Sequence, residues 1–251
     1  MAWHGPNGQQ LYYEDTGRGD AVLLMPGWAG TIVEFYELRR ELASGFRVIA
    51  VDLPGSGRSQ PRPRYYRPSY YLDDAQVLLG LLDELGVDAA HLAGFSDGGE
   101  EALLMAALKP GRALSVVTWG AAGQIVASPD QLDEVAHAVD RPGGPFKELA
   151  AYLAQAYGAE GARIMTGSWA RAMGEIIDAG GDISRSRAPS ISCPALLIAG
   201  SADPFCPPGL VRDMASAIPR GRYLEVDGGH DLYQSHRRLL VSAISGWLTD
   251  H

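Results

Sequence analysis

Ser96 stands between glycines in Gly94-Phe95-Ser96-Asp97-Gly98, and the residues on its two sides differ sharply in character. Ala89 to Ala93 are mostly apolar and strand-like, whereas Glu100 to Leu108 are good helix formers that stop at Lys109-Pro110. A serine at such a junction fits the G-x-S-x-G elbow, in which a tight strand-to-helix turn holds the hydroxyl exposed at its apex. Glycine neighbours are required because the turn leaves no room for a Cβ there. The helix that follows aims its first N–H groups at negative charge forming nearby. The chemistry this permits is nucleophilic attack by Ser96. With 31 glycines in the chain, the pattern can also arise by accident, so it needs partners.

A serine hydroxyl becomes a useful nucleophile only when a base removes its proton and an acid fixes the tautomer of that base. After this kind of elbow the chain order is Ser, then Asp or Glu, then His. Asp203 follows the strand-like Ala195–Ala199 in Gly200-Ser201-Ala202-Asp203-Pro204, and His230 follows Arg222–Val226 in Gly228-Gly229-His230-Asp231. Both then sit at the same sheet edge as Ser96. Asp203 alone could be a turn acid beside proline, and His230 is one of six histidines. Their order and placement point instead to a Ser96–His230–Asp203 triad. Among the rivals, Asp52 precedes the serine and reads as the anchor of its own glycine turn. His91 lies in a strand and should be buried. Asp227 and Asp231 are too close to His230 to turn back on it, and Asp178 and Asp182 fall in a different region. A tetrahedral intermediate needs two pre-aimed donors. The backbone N–H of Asp97 is one candidate, and that of Trp28, after Pro26-Gly27, is the other. Trp28 can also serve as a pocket wall.

The elements that must position these residues alternate. Leu11–Glu14 and Ala21–Met25 read as strands with Thr16–Asp20 as a hairpin between them. Thr31 is a plausible N-cap for a helix to Leu42. Arg47–Val51 is a continuous apolar strand, as expected for a parallel sheet buried on both faces. Ser69 caps a helix with Leu72, Ala75, Leu78, Leu79, Leu82 and Leu85 at helical spacing, ended by Gly86. Leu114–Trp119 is a further buried strand. Repeated alternation predicts an α/β fold with a mostly parallel sheet. From about Gly123 to Pro189 the pattern becomes helical, over Asp130–Val139, Phe146–Tyr157 and Ala162–Ala179. This predicts a cap, residues 123–189, inserted in a core of residues 1–122 and 190–251. A helix around Leu210–Ala217 and a final one from about Arg238 to Leu248 complete the chain.

The 251 residues carry a net charge of −9 and are 46% hydrophobic. That is ample for a core and excludes disorder as the main state. The negative charge argues against nucleic acid as a partner and weakly favours neutral or cationic ligands. Cys193 and Cys206 show no C-x-x-C or metal-ligand spacing and are expected to be reduced thiols, with a bridge between them the open alternative. The start of the chain has neither the basic nor the apolar region of a secretory signal, and no apolar run is long enough for a membrane span. The expectation is a cytoplasmic protein acting on a small molecule without metal or cofactor, as a monomer or dimer.

Over nearly its whole length, from Asn7-Gly8 to the last helix, the chain resembles the α/β-hydrolases. The motifs Met25-Pro26-Gly27, Gly94-Phe95-Ser96-Asp97-Gly98-Gly99, Val117-Thr118-Trp119-Gly120-Ala121 and Ala156-Tyr157-Gly158 resemble those of the valacyclovirase-type, biphenyl-hydrolase-like serine esterases. The resemblance implies an eight-stranded, mostly parallel sheet flanked by helices, with a helical cap. It implies Ser96, Asp203 and His230 as the triad, and Asp97, Trp28, Phe95 and Trp119 as candidate substrate contacts. In that group the residue matching Asp97 binds the substrate's ammonium, which implies hydrolysis of α-amino-acid esters. A carboxylate beside the nucleophile suits that role, although it also complements its own helix N-terminus. Pro26 replaces the histidine common before the oxyanion-loop glycine. Related reactions on the same triad stay open: perhydrolase or haloperoxidase, thioesterase, lactonase, or C–C bond hydrolase chemistry. So does a non-catalytic ligand-binding role.

Overall fold

The computed structural model describes residues 1–5, 9–141 and 143–251. Asn7 and Gly8, where the resemblance begins, lie outside them. Eight strands form one sheet: β1 (Ala2–His4), β2 (Gln10–Gly17), β3 (Ala21–Met25), β4 (Arg47–Val51), β5 (Ala90–Phe95), β6 (Ala113–Trp119), β7 (Ala195–Gly200) and β8 (Gly221–Val226). Their order is β1-β2-β4-β3-β5-β6-β7-β8. The β1–β2 and β2–β4 pairs are antiparallel, and every pair from β4 to β8 is parallel. All residues of β3 and β7 are buried, as continuous apolar runs inside a doubly covered parallel sheet should be.

Helices α1 (Tyr36–Leu42), α7 (Leu232–Ser235) and α8 (Arg237–Thr249) pack on one face. Helices α2 (Tyr70–Glu84), α3 (Asp97–Leu108) and α6 (Pro208–Ala217) pack on the other. Strand periodicity divides β6 between these layers: Val117 and Trp119 enter the α1/α8 core and Val116 the α3 core.

Thr16–Asp20 does not close a hairpin. Strand β4 lies between β2 and β3, pairing with the first antiparallel and the second parallel. The turn glycines Gly17 (φ 84°) and Gly19 (φ 108°) reverse the chain whether it pairs back directly or steps over a neighbour, so local signals do not distinguish the two. Strand β1, three residues long, carries no pattern that the sequence reading isolates. The segment after Thr31 begins as a 3-10 turn over Ile32–Phe35 before α1, with Glu34 accepting the Thr31 N–H at 2.8 Å. Ser69 holds the N-cap position of α2, but its hydroxyl bonds Asp73 rather than a backbone amide. Between β6 and β7 come α4 (Pro129–Ala136), a 3-10 turn over Ala138–Asp140 and α5 (Lys147–Asp178). The break expected after Tyr157 occurs at Gly158, whose φ of 75° interrupts α5.

Candidate active site

Strand β5 delivers Ser96 to the carboxyl edge of the sheet, and α3 begins at the next residue. Ser96 has φ 50° and ψ −118°, a conformation that costs a non-glycine residue roughly 1–3 kcal/mol and persists only where its surroundings fix it. They do so by hydrogen bonds. The Ser96 N–H donates to the Trp119 carbonyl (2.9 Å), the Gly98 N–H to the Pro26 carbonyl (3.1 Å), and the Gly99 and Glu100 N–H groups to the Ser96 carbonyl (2.9 and 3.0 Å). A Cβ on Gly94 would lie 2.2 Å from the Gly98 carbonyl oxygen, and one on Gly98 2.5 Å from that of Pro26. Backbone fills the space a side chain would need.

Asp203 and His230 reach Ser96 from the loops after β7 and β8, which are tied together by Ser201 N–H to Val226 O and Ala202 N–H to Gly228 O, both 2.9 Å. His230 Nε2 lies 3.0 Å from Ser96 Oγ, and His230 Nδ1 lies 2.8 Å from Asp203 Oδ2. The other oxygen of Asp203 accepts the backbone N–H groups of Phe205 and Cys206, each at 2.9 Å. Asp203 is 4% exposed, so this carboxylate is fixed by the fold and aimed at the imidazole. The imidazole packs between the rings of Phe95 and Phe205, at centroid distances of 5.0 and 5.2 Å.

The rival residues are engaged elsewhere. Asp52 accepts the N–H groups of Ile32 and Arg58, anchoring its glycine turn. His91 is buried against the Ser115 hydroxyl (2.9 Å), and burial lowers its pKa. Asp227 accepts from the Ser201 hydroxyl, Asp231 from the Gln234 N–H and Asp182 from the Ser186 N–H.

Beside Ser96 opens a cavity of about 300 Å³. Its walls are largely apolar and include Phe95 and Trp28, the latter stacked on Trp169 at 4.6 Å between centroids. Neither the Trp28 nor the Asp97 backbone N–H donates to a backbone carbonyl among the described residues, which leaves both free for a ligand oxygen. Trp119 does not belong to this wall. It is fully buried on the opposite side of the sheet, 5.3 Å from the Phe35 ring, because residues 117 and 119 of β6 share the α1/α8 face. It adds no surface to the cavity.

The Asp97 carboxylate lines the cavity and is 6% exposed. The hydroxyls of Tyr70 and Tyr71 donate to its two oxygens, each at 2.9 Å. Burial pushes its pKa up to about 6 against the opposing pull of those hydrogen bonds and of Arg64. Glu100 also lines the cavity, and burial pushes it up to about 7. Behind them Arg64 grips Asp74 through both guanidinium ends (2.6 and 2.7 Å). Glu101, fully buried nearby, is held well above the usual carboxylate range by burial and by Asp74 and Asp97. Sequence reasoning missed Tyr70, Tyr71, Glu100 and Trp169. No local signal marks them, since adjacent tyrosines also occur at Tyr12-Tyr13 and Tyr65-Tyr66.

One set of metal-capable donors exists among the described residues. Atoms of Asp203, Cys206 and His230 lie within 4.8 Å of one another. These donors are already committed: Asp203 and His230 bond each other, and the Cys206 thiol donates to the Gly120 carbonyl at 3.0 Å, with burial raising its pKa well above the usual thiol value. Both cysteines are free, and no described helix is long and apolar enough to cross a membrane.

Residues 20–143 match the family model described as alpha/beta hydrolase fold. The chain is 32% identical over 211 residues to the serine hydrolase BPHL of Homo sapiens, covering 80% of this chain and 69% of that protein. The chain belongs to the α/β-hydrolase family. It is an enzyme of hydrolase type, with the eight-stranded sheet of that family. A more partial relative among these hydrolases is the 2-hydroxy-6-oxo-6-phenylhexa-2,4-dienoate hydrolase of Burkholderia cepacia, 33% identical over 118 residues, 45% of this chain and 41% of that one. Among solved α/β-hydrolase structures, a thermophilic esterase from Thermogutta terrifontis superposes with a TM-score of 0.77 at 26% identity, covering 100% of this chain and 98% of that one.

Proposed function

We propose that the chain is a serine hydrolase that cleaves small carboxylic esters of the α-amino-acid type through a Ser96–His230–Asp203 triad. The observation that carries this reading is that His230, which lines the cavity with Ser96, bridges Ser96 Oγ (3.0 Å) and a buried, doubly held Asp203 (2.8 Å). His230 Nε2 takes the proton of Ser96 as Oγ attacks the ester carbonyl carbon. Asp203 fixes the imidazole tautomer and stabilises the imidazolium. The N–H groups of Trp28 and Asp97 receive the oxyanion. The imidazolium then gives its proton to the departing alcohol, leaving an acyl-enzyme. His230 activates water for attack on that acyl group, and the acid is released.

The acidic character of the cavity supports an amine-bearing substrate. Asp97 and Glu100 line it, and no Lys or Arg does among the described residues. Coulomb attraction to an ammonium is large where both partners leave water, and it would hold the ester over Ser96. The same acidity disfavours an anionic dienoate by like-charge repulsion, which ranks C–C bond hydrolysis below ester hydrolysis despite the Burkholderia cepacia relative. Residues 123–189 are proposed as the cap: Leu132 from α4 and Trp169 and Met173 from α5 close over the cavity and would set leaving-group size. Two unpaired thiols suit a reducing compartment such as the cytoplasm. Turnover of aminoacyl, simple acyl, thioester and lactone substrates by wild type and Ser96→Ala tests the reading. Aminoacyl esters should be hydrolysed fastest, with the loss in Ser96→Ala reaching several orders of magnitude. Ester turnover retained in that variant refutes the mechanism.

A further inference from the structure

We infer that Glu100 is a second cation acceptor of the cavity, selecting α-amino-acid esters whose side chain is itself cationic, of the ornithine or lysine type. The inference rests on the reading of Asp97 as the α-ammonium acceptor. Asp97 and Glu100 are three residues apart in the first turn of α3, which places their Cβ atoms about 5–6 Å from each other on one helix face. Both line the cavity, and Glu100 is 4% exposed. Its Oε1 accepts the N–H groups of Ala122 (2.7 Å) and Gly123 (2.9 Å), whereas Oε2 receives only the longer branch from Gly123 at 3.1 Å. One oxygen thus anchors the loop after β6, and the other keeps acceptor capacity.

Among the described residues no Lys or Arg of the cavity lining pairs with either acid. Arg64, whose charge acts on Asp97, is committed to Asp74. Two buried carboxylates one turn apart repel unless a cation joins them or one takes a proton. A ligand with two ammonium groups a few bonds apart satisfies both. Ile125, Leu132, Met173 and Ile183 supply apolar wall for the methylene stem between them.

Glu100→Gln keeps an acceptor for the Ala122 and Gly123 N–H groups and removes only the charge. The experiment compares methyl esters of lysine and norleucine, which share one carbon chain and differ in the terminal ammonium, with wild type and variant. Wild type should prefer the lysine ester, and the variant should lose at least ~10-fold of that preference, mainly in KM. Equal losses on both esters mean that Glu100 only anchors its loop, and they overturn the inference. So does the absence of a lysine preference in wild type. A second measurement needs no variant: lysinamide should inhibit wild-type turnover of p-nitrophenyl acetate at concentrations at least ~10-fold lower than norleucinamide does. Equal inhibition overturns the inference. Failure of the underlying Asp97 reading is seen separately, as equal wild-type turnover of norleucine ester and its N-acetyl form.

Discussion

Replacing Asp97 by asparagine should make the protein more stable and less selective at once. Burial moves this carboxyl from 3.8 to about 6. At 1.36 kcal/mol for each pKa unit, holding it ionised in the folded, ligand-free protein costs up to about 3 kcal/mol. The sign follows from proton counting. Between about pH 4 and 6 the native state retains a proton that the unfolded chain has lost, so stability falls as pH rises through this window. The penalty is absent below it and complete above. Asparagine carries no such penalty and keeps both contacts, accepting from one tyrosine hydroxyl and donating to the other. Thermal unfolding of the variant should therefore match wild type near pH 4. At pH 8 the variant should exceed it by up to about 3 kcal/mol, or roughly 6–10 °C in Tm. Losing one member of a buried charge pair costs a bound ligand about 2–5 kcal/mol, so the ratio of kcat/KM for an aminoacyl ester over its N-acetyl form should fall at least ~30-fold. A variant no more stable at pH 8 than wild type would refute the burial argument. An unchanged substrate ratio would refute the ammonium-binding role.

Asp203→Asn should retain the fold, because an amide oxygen can still accept the Phe205 and Cys206 N–H groups. It would favour the wrong His230 tautomer, and kcat should drop by about 10³–10⁴ in steady-state assays. A loss of less than tenfold would remove Asp203 from the triad. Gly98→Ala should either unfold the elbow or displace Ser96, since its Cβ would sit 2.5 Å from the Pro26 carbonyl oxygen. Wild-type activity and Tm in this variant would show that the elbow is not so tightly fixed.

The parts of the site legible in the sequence are those governed by short-range rules. Ser96 between glycines, Asp203 after β7 and His230 after β8 follow from turn chemistry and chain order, and the fold brings all three together. Asp97 was legible because it directly follows Ser96 in the elbow motif. Tyr70, Tyr71 and Glu100 act through tertiary placement: α2 must lie against α3 before two phenols can meet Asp97, and nothing local to residues 70 and 71 encodes that. Trp119 failed for a different reason. The resemblance offers it as a substrate contact, but the two-residue period of β6 turns it into the α1/α8 core. The missing hairpin has the same origin as the tyrosines, since insertion of β4 between β2 and β3 is a long-range event. Helices and parallel strands were readable because burial on two faces, or on one helical stripe, imprints a period on the chain.

The central claim is that Ser96 is an activated nucleophile, and reaction of the folded protein with a fluorophosphonate followed by peptide mass spectrometry tests it most directly. The account predicts one adduct per chain, located on Ser96, absent in Ser96→Ala and formed far more slowly in His230→Ala. An unlabelled Ser96 in folded wild-type protein, or equally fast labelling without His230, would contradict it.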